Sequence, residues 1–402
     1  MAEPLALPGD ASTAALSLQH SFIESRDFYG GTVLATSDGT EENLVWLRSY
    51  HPGARIECVS RSEFLEAVNA RFGPHLADHA SHDLRRRLPS LSAHFTATEN
   101  QVSALLVFAV AVVGFTVSFP QTALSLLVIV TSLAFLLGTV FRGALAVSGD
   151  TKESEPYGQR LENDLLPLYT LLIPLYREAN VIPQLARALL RLDYPHDKLQ
   201  ILLIVEADDA ETIAAARDLE RRGPFEVIVV PSGKPRTKPR ACNYALNFAR
   251  GALTVIYDAE DRPERDQLQK AASAFRTLPP NVACLQARLS FYNADNVLTR
   301  LFTIDYLIWF CSLLPGLDRL KVPMPLGGTS NHFRTEILRK LGGWDPFNVT
   351  EDADLGVRIA QLRGRVRMLD STTYEEATSS VPAWLKQRSR WMKGYMHSAS
   401  EI

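Results

Sequence analysis

Residues 169–173, YTLLI, and residues 199–205, LQILLIV, decide the fold. Both are continuous apolar runs of strand length, and a segment with helical periodicity lies between them at 181–191. The same alternation continues with strands at 226–230 and 253–257 and with helices at 211–222 and 241–250. Strands that alternate with helices of about ten residues are typical of parallel βαβ units. The sequence therefore predicts an α/β fold with a doubly wound, mostly parallel sheet.

Acidic side chains follow the predicted strands. Glu178 comes after the first strand, Glu206 and Asp208 follow the second, and Asp258 follows the fourth. Ligands of open α/β sheets bind beyond the carboxyl ends of the strands. This placement predicts a nucleotide site at that edge of the sheet.

The segment DAED puts Asp258 and Asp261 three residues apart at a strand end. Two carboxylates in that arrangement can hold a hard divalent cation, which would offset the charge that a departing diphosphate acquires. Taken alone, the motif is weak evidence for a metal site, because acidic turns are common and are usually only solvated.

A second acidic motif, Thr350-Glu351-Asp352, precedes a predicted helix at 353–363. In one interpretation Thr350 caps the helix and the two acids favour its dipole. In the other, a carboxylate with a raised pKa acts as general base towards an acceptor hydroxyl.

The sequence QRSRW occupies residues 387–391 of a predicted helix that begins at Val381. Arg390 can pair with diphosphate oxygens, and Trp391 can stack on a sugar ring. The alternative is a basic amphipathic helix at a membrane interface. A further basic run is formed by Lys234, Arg236, Lys238 and Arg240. It is either a surface loop or a phosphate clamp, with Lys238 favoured.

Two apolar segments, 102–119 and 122–141, contain no charged residue. A bilayer core takes about 20 apolar residues per helix, so we predict a transmembrane hairpin over 101–142. A buried helical hairpin in a soluble core is the alternative. Three arginines at 85–87 and Arg142 flank the pair, which places both flanks in the cytoplasm.

Composition excludes some classes of protein. The 402 residues carry a net charge of −3, which gives no reason to expect nucleic acid as a partner. The four cysteines form no CxxC pair, so a reducing compartment is expected. We divide the chain into a small cytoplasmic α/β module of unknown role at 1–100, the hairpin, a linker at 143–166 and a cytosolic domain at 167–402.

Together these motifs resemble the signature D, DxD, TED and Q(Q/R)xRW of the processive family 2 glycosyltransferases, such as bacterial cellulose, hyaluronan and chitin synthases. The resemblance covers about residues 168–400, and the joint match of TED and QRSRW is specific. It implies a GT-A-type fold. The chain departs from the pattern in having DxxD for DxD, so Glu260 could substitute as a ligand. Its second strand ends in Glu-Ala-Asp-Asp, which leaves Glu206 and Asp208 as alternatives for base recognition.

The resemblance also implies roles for matching residues. Asp352 would be the catalytic base, with Glu351 beside it, and Asp261 with Asp258 would hold Mg²⁺ or Mn²⁺. The residues implied in binding the nucleotide sugar are Pro174, Tyr176, Glu178, Glu206, Asp208, Lys238, Asn243, Asp258, Gln387, Arg388 and Arg390. Those implied in binding the acceptor are Gly328, Thr329, Ser330 and Trp391.

The resulting expectation is a multi-pass enzyme of the bacterial inner membrane, with its catalytic domain in the cytoplasm. It would extend a β-linked polysaccharide from a sugar nucleotide, with UDP-glucose as the first candidate, and the configuration at the anomeric carbon would invert. Its partners would be the growing glycan, membrane lipid and other subunits of an export complex. The alternatives are a non-processive transferase that adds one sugar to a lipid or short glycan, and an inactive membrane scaffold or nucleotide sensor. Because processive members carry further spans, we expect the chain to be a fragment.

Overall fold

A computed structural model describes residues 11–94, 99–149 and 160–400. Parts of the predicted module and linker, at 1–10, 95–98 and 150–159, lie outside the described residues, as do 401–402. The chain forms two compact units. The first unit comprises Met1–Arg87, Asn163–Glu260 and Phe333–Pro346, and the second comprises Leu88–Glu162, Asp261–His332 and Phe347–Ile402.

The helices and strands are numbered along the chain. The first part contains α1 (Ala11–Gln19), β1 (Phe22–Arg26), β2 (Thr32–Thr36), α2 (Glu41–Tyr50), β3 (Arg55–Cys58), α3 (Arg61–Arg87), α4 (Glu99–Ser118) and α5 (Pro120–Gly149). The next contains β4 (Tyr169–Leu175), α6 (Ile182–Leu189), β5 (Leu199–Glu206), α7 (Ala210–Glu220), β6 (Phe225–Val230), α8 (Lys238–Leu246) and β7 (Leu253–Ile256). The last contains β8 (Arg262–Pro263), α9 (Gln267–Thr277), β9 (Val282–Phe291), α10 (Val297–Ile308), α11 (Leu314–Leu320), β10 (Asn331–Arg334), α12 (Thr335–Lys340), α13 (Glu351–Gln361), β11 (Arg365–Glu375) and α14 (Val381–Ser400).

The first unit is built on four parallel strands in the order β6-β5-β4-β7. Leu172 of β4 lies opposite Leu202 of β5 and Ile256 of β7. Every residue of β5 is buried, as expected for a parallel strand that is covered on both faces. The predicted parallel βαβ arrangement is confirmed for these strands.

The N-terminal module of the first unit has its own three-stranded sheet, β1-β2-β3, with β1 antiparallel to β2 and β2 parallel to β3. Phe22, Leu34 and Leu47 form its core. Its last helix, α3, is 27 residues long, whereas the apolar pattern predicts a helix only at 62–72. Pro74 and the small buried residues that follow it conceal the continuation of the helix.

In the second unit β9 pairs in parallel with β11, and β11 pairs antiparallel with the short strand β8. The sheet is therefore mixed. The Ala287 N–H of β9 donates to the Ser330 carbonyl at 3.1 Å, which fixes the segment just before β10. This segment carries the predicted acceptor loop.

Among the residues that the structure describes, three helices are long and apolar enough to cross a membrane: Asn100–Ser118, Pro120–Gly149 and Val297–Leu320. The apolar windows of the first two are entirely exposed, so lipid is the environment that would cover them. The predicted hairpin is not confirmed. The Phe119 N–H donates to the Phe115 carbonyl, and the Phe119 carbonyl accepts from the Ala123 N–H, so helical hydrogen bonding runs across the junction of α4 and α5.

The third apolar helix contains a π-helical turn, Trp309–Leu313, between α10 and α11. Pro315 does not end the helix, because it occupies the first turn of α11, where its missing N–H is tolerated. The end of α5 approaches this helix closely. A Cβ on Gly316 would lie 2.3 Å from the Leu145 carbonyl oxygen, and one on Gly149 would lie 2.2 Å from that of Ser312.

Candidate active site

The first unit gathers acidic and basic side chains at the carboxyl ends of β4, β5 and β7. We call this group the strand-end cluster; its members are Tyr176, Glu178, Glu206, Asp208, Arg236, Lys238 and Asp258. Because β5, β4 and β7 are parallel neighbours, the residues that follow them emerge at one edge. The placement of acidic residues at strand ends, predicted from the sequence, is found in the structure.

Two residues of the predicted basic run pair with two of these carboxylates. Lys238 Nζ lies 2.5 Å from Asp258 Oδ1, with both side chains about two-thirds buried. Arg236 pairs with Asp208, and its guanidinium lies 4.7 Å from the centre of the Tyr176 ring. The cluster thus holds two cations that can turn to diphosphate oxygens beside an aromatic ring that can stack on a base.

The ionisation of Glu178 reflects the crowding of carboxylates in the cluster. Burial raises its pKa to about 7, with further contributions from the charges of Glu260 and Asp258. The Tyr176 N–H and the charge of Lys238 oppose this rise. Burial also raises the pKa of Glu206, and the charges of Arg240 and Arg236 oppose it. The strand-end cluster therefore contains an excess of negative charge that favours cationic ligands or protonation.

Two residues that were predicted to contact the nucleotide, Pro174 and Asn243, make other contacts in the structure. Pro174 is half-buried inside β4, opposite Ile204 of β5. Asn243 uses its amide within α8, where Nδ2 donates to the carbonyls of Trp344 at 2.7 Å and Ala80 at 3.2 Å. Its Oδ1 accepts from the Trp344 N–H at 2.9 Å. The amide of Asn243 thus fixes α8 to neighbouring elements of the first unit.

The second unit holds the loop at 327–331 through buried polar side chains. Thr329 is 1% exposed, and its hydroxyl donates to Asp261, which is 2% exposed. Ser330 adopts a left-handed φ of 55°, and its hydroxyl donates to Thr373 at 2.7 Å. Gln286 accepts from the Gly327 N–H at 2.7 Å and donates to the Thr329 carbonyl at 3.1 Å. The loop is therefore rigidly supported from the sheet.

Asp352 lies in the first turn of α13 and is 7% exposed. Its charge contributes, after burial, to raising the pKa of the Cys284 thiol of β9. A Cβ on Gly328 would lie 3.8 Å from Asp352 Oδ2, so the loop backbone passes beside the carboxylate. Thr350 occupies the cap position but makes no side-chain cap hydrogen bond, while Glu351 is half-buried.

The QRSRW segment lies on α14 and packs against α10 within the second unit. Arg388 pairs with Asp305, and its guanidinium lies 5.0, 5.6 and 4.8 Å from the ring centres of Phe302, Trp384 and Trp391. Trp391 belongs to the same aromatic cluster as Phe302. Gln387 is half-buried, whereas Arg390 is exposed. Arg388 and Trp391 therefore dock α14, and Arg390 is the arginine that is open to a ligand.

Sequence reasoning missed several supporting residues. A Cβ on Gly394 of α14 would lie 2.1 Å from Thr350 Oγ1, so only glycine lets α14 approach the turn that carries Asp352. Gln286, Thr373 and Asp305 were missed because nothing in their local sequence distinguishes them from other polar residues of strands and helices. The sequence around Gly394 contains no recognisable motif. A glycine inside an otherwise helical segment is nevertheless a sign of close packing, and this signal could have indicated the contact.

The carboxylates of the DAED turn have the donor chemistry that Mg²⁺ or Mn²⁺ prefers. Asp258 is half-buried, Glu260 is exposed and Asp261 is almost fully buried. Within the part of the chain that the structure describes, no three histidine, cysteine, aspartate or glutamate side chains are already grouped as a metal site. Each of these carboxylates can therefore serve as a ligand to such a cation.

A parallel sheet with acidic and basic side chains at its strand ends has the arrangement of a nucleotide-binding α/β domain. The family described as "Glycosyltransferase like family 2" matches residues 167–394, and the chain belongs to that family.

Curated relatives are similar over the same part of the chain. Probable glycosyltransferase YdaM of Bacillus subtilis is 26% identical over 232 residues, which cover 57% of this chain and 55% of that protein. Probable glucomannan 4-beta-mannosyltransferase 10 of Arabidopsis thaliana is 27% identical over 253 residues, 58% of this chain and 44% of that protein. Beta-monoglucosyldiacylglycerol synthase of Trichormus variabilis is 25% identical over 270 residues, 65% of this chain and 56% of that protein. The chain spans about half the length of these relatives.

Among solved structures, the mannosyltransferase PcManGT from Pyrobaculum calidifontis, in complex with GDP-Man and Mn²⁺, superposes with a TM-score of 0.52. It is 23% identical, and the match covers 67% of this chain and 74% of that one. At this identity the likeness shows a shared GT-A-like fold.

Proposed function

We propose that the chain transfers a hexose to the non-reducing end of a β-linked glycan at a membrane, and that UDP-glucose is the first candidate for the donor. The observation that carries the proposal is the strand-end cluster, in which Lys238 pairs with Asp258, Arg236 pairs with Asp208, and the Arg236 guanidinium lies over the Tyr176 ring. Cations and an aromatic ring at parallel strand ends suit a nucleoside diphosphate. That relatives are named for mannosyl and glucosyl transfer supports a hexose donor.

In the proposed reaction, Asp352 removes the proton from the acceptor hydroxyl. The hydroxyl oxygen then forms a bond to the anomeric carbon from the side opposite the diphosphate. The bond between that carbon and the diphosphate oxygen breaks, and its electron pair leaves with the nucleotide, so the configuration inverts. Asp352 suits this role because it is almost fully buried beside the loop that would hold the acceptor.

A divalent cation would be held by Asp261 and Asp258, with Glu260 as a further donor. When bound, Mg²⁺ or Mn²⁺ offsets the negative charge of the departing diphosphate. The Thr329 hydroxyl supports this role by donating to Asp261, which fixes the carboxylate within its unit. Arg390 is exposed and would contact the diphosphate from α14, while Trp391 and Ser330 would border the acceptor.

A single transfer to a lipid is a second candidate function. It is supported by the exposed apolar helices and by the relative named for diacylglycerol glucosylation. In that case the acceptor hydroxyl belongs to a membrane lipid, and the product carries one sugar.

The test is a panel of UDP- and GDP-sugars incubated with membranes that contain the full-length protein, followed by sizing and linkage analysis of the product. A ladder of β-linked oligosaccharides supports the polymerase, and a single glycolipid supports the second candidate. Absence of turnover with every donor, in the presence of Mg²⁺ or Mn²⁺, overturns both and leaves the inactive scaffold.

A further inference from the structure

The helix α3 of the N-terminal module packs along α8, the helix that begins with Lys238. The Tyr244 hydroxyl of α8 hydrogen-bonds Asn69 of α3 at 2.5 Å, and Asn243 donates to the Ala80 carbonyl at 3.2 Å. At the other end of the contact, Arg61 pairs with Glu226 of β6 at 3.1 Å. The module is thus a structural part of the first unit, and its helix α3 forms a packed wall along α8.

Arg240 links this wall to the strand-end cluster. Its guanidinium is 1% exposed, and Nε donates to Ser81 of α3 at 3.2 Å. The same group donates to the Pro231 carbonyl, and Nη1 lies 3.5 Å from Glu206 Oε2. A Cβ on Gly233 would lie 2.6 Å from Nη2, so the loop backbone closes over the guanidinium. Arg240 is therefore not part of a solvent-facing clamp with Arg236 and Lys238.

The orientation of Glu206 depends on this buried cation. Glu206 is 7% exposed at the end of β5, and a carboxylate buried to that extent needs a paired charge to remain ionised. Arg236 and Asp208 are the other charged groups near it, and both are nearly half exposed and paired with each other. Arg240 is the buried partner, and its own direction is set by Ser81 together with the Pro231 carbonyl.

We propose that Arg240 is a positioning residue for Glu206, and that α3 sets the direction of Arg240, so that the N-terminal module controls recognition of the donor base. The inference rests on the proposed function and takes Glu206, one of the two residues implied in base recognition, as the acceptor of a hydrogen bond from an N–H on the base edge. A ligand or partner that shifts α3 would change donor affinity without touching the reacting atoms. In this way the module would regulate the affinity of the enzyme for its donor.

The test compares R240K, S81A and the control S49A in full-length protein in membranes. Lysine keeps the charge but cannot donate to Ser81 and Pro231 while facing Glu206, so we expect UDP Kd and donor KM to rise about tenfold with kcat nearly unchanged. Removing the Ser81 hydroxyl should raise both about threefold. Ser49 is an exposed serine of the same module whose hydroxyl donates to the Trp46 carbonyl within α2, and S49A should match wild type.

A double-mutant cycle tests the route of the effect. If α3 acts through Arg240, S81A adds nothing in the R240K background, whereas additive effects overturn the inference. Wild-type Kd and KM in both single variants, or losses confined to kcat, also overturn it. If R240K does not give a cooperative melt, S81A and S81V decide by the same criteria. Wild-type protein that turns over no sugar nucleotide counts against the proposed function itself, whereas active wild type with unchanged variants counts against this inference alone.

Discussion

At the scale of single residues, Asp352 can be separated from its neighbour Glu351. D352N keeps the size of the side chain but cannot take the acceptor proton, so we expect transfer to fall by about 10²–10⁴-fold. UDP affinity, measured by titration calorimetry, should stay at the wild-type value because the proposed base contacts lie in the other unit. E351Q is the matched control and should retain most activity. Near wild-type synthesis by D352N would remove Asp352 from the mechanism.

Glu178 gives a pH-dependent prediction. Burial, with the charges of Glu260 and Asp258, raises its pKa from the ordinary 4.5 to about 7. Between these values the unfolded chain gives up the proton first, so this group's contribution to the stability of the folded state is lost as pH rises. E178Q removes the titration, and we expect its unfolding temperature to exceed that of wild type above pH 7 but not below pH 4.5.

Differential scanning calorimetry in chelator-containing buffer measures this difference. Chelator keeps divalent cations from competing with the proton for the cluster. If the unfolding temperatures of wild type and E178Q run parallel from pH 4 to pH 8, Glu178 has the same pKa in the folded and unfolded chains, and the prediction is wrong.

At the scale of elements, the two arginines of QRSRW should behave differently. Arg388 pairs with Asp305 and contacts three aromatic rings, whereas Arg390 is exposed. Each cation–π contact contributes roughly 0.5–1 kcal/mol and a half-exposed ion pair less. R388A should therefore lower the unfolding temperature by a few degrees. R390A should leave it unchanged and raise donor KM; equal losses of stability in the two variants would contradict this division.

The contact between α5 and α11 depends on a glycine. A Cβ at position 316 would meet backbone atoms of Leu145, which no rotamer change can relieve. We expect G316A to destabilise the detergent-solubilised protein by about 1–3 kcal/mol. Gly143, two residues before Leu145 in the same helix α5, has open space around it, and G143A serves as the control. Similar unfolding temperatures for G316A and wild type would show that the two helices do not pack closely in the solubilised protein.

The elements that could be predicted from sequence are those whose pattern lies within a short stretch of the chain. Buried parallel strands such as β4 and β5 are continuous apolar runs, and strand adjacency then places Glu178, Glu206 and Asp258 at one edge. The direction of Arg240 could not be predicted, because its partner Ser81 is 159 residues away in the chain. The same reason hid the contact of Gly394 with Thr350 and the use of the Asn243 amide by Trp344.

At the scale of the whole molecule, the N-terminal module and the strands β4 to β7 belong to one compact unit. Arg217 of α7 pairs with Glu66 of α3 at 3.0 Å, and the Gly342 turn, with a left-handed φ of 80°, fits against Leu84. Residues 11–87 are therefore built into the sheet's surroundings, although the apolar helices α4 and α5 separate the two parts in the chain.

The number of membrane crossings decides on which side these two parts lie. At 1.5 Å per residue, α4 is about 30 Å long and α5 about 45 Å, so each is sufficient to cross a hydrocarbon core of about 30 Å. Together they are far too long for one crossing. Pro120, which has no N–H to donate, is the point at which the chain can bend. Two crossings would keep the module and the sheet on the same face, as their shared unit requires.

Labelling of cysteines with a membrane-impermeant maleimide tests this. Cys58 is exposed in the module, and Glu211 is an exposed position of α7 that can carry a probe. C311A retains Cys58 as the exposed cysteine, and C58A/C311A/E211C reports on the sheet, while Cys242 and Cys284 stay buried. We expect neither probe to react in intact cells and both to react once the membrane that holds the protein is opened. Reaction of one probe alone from outside would mean an odd number of crossings between them, and would be incompatible with a module that packs against α8.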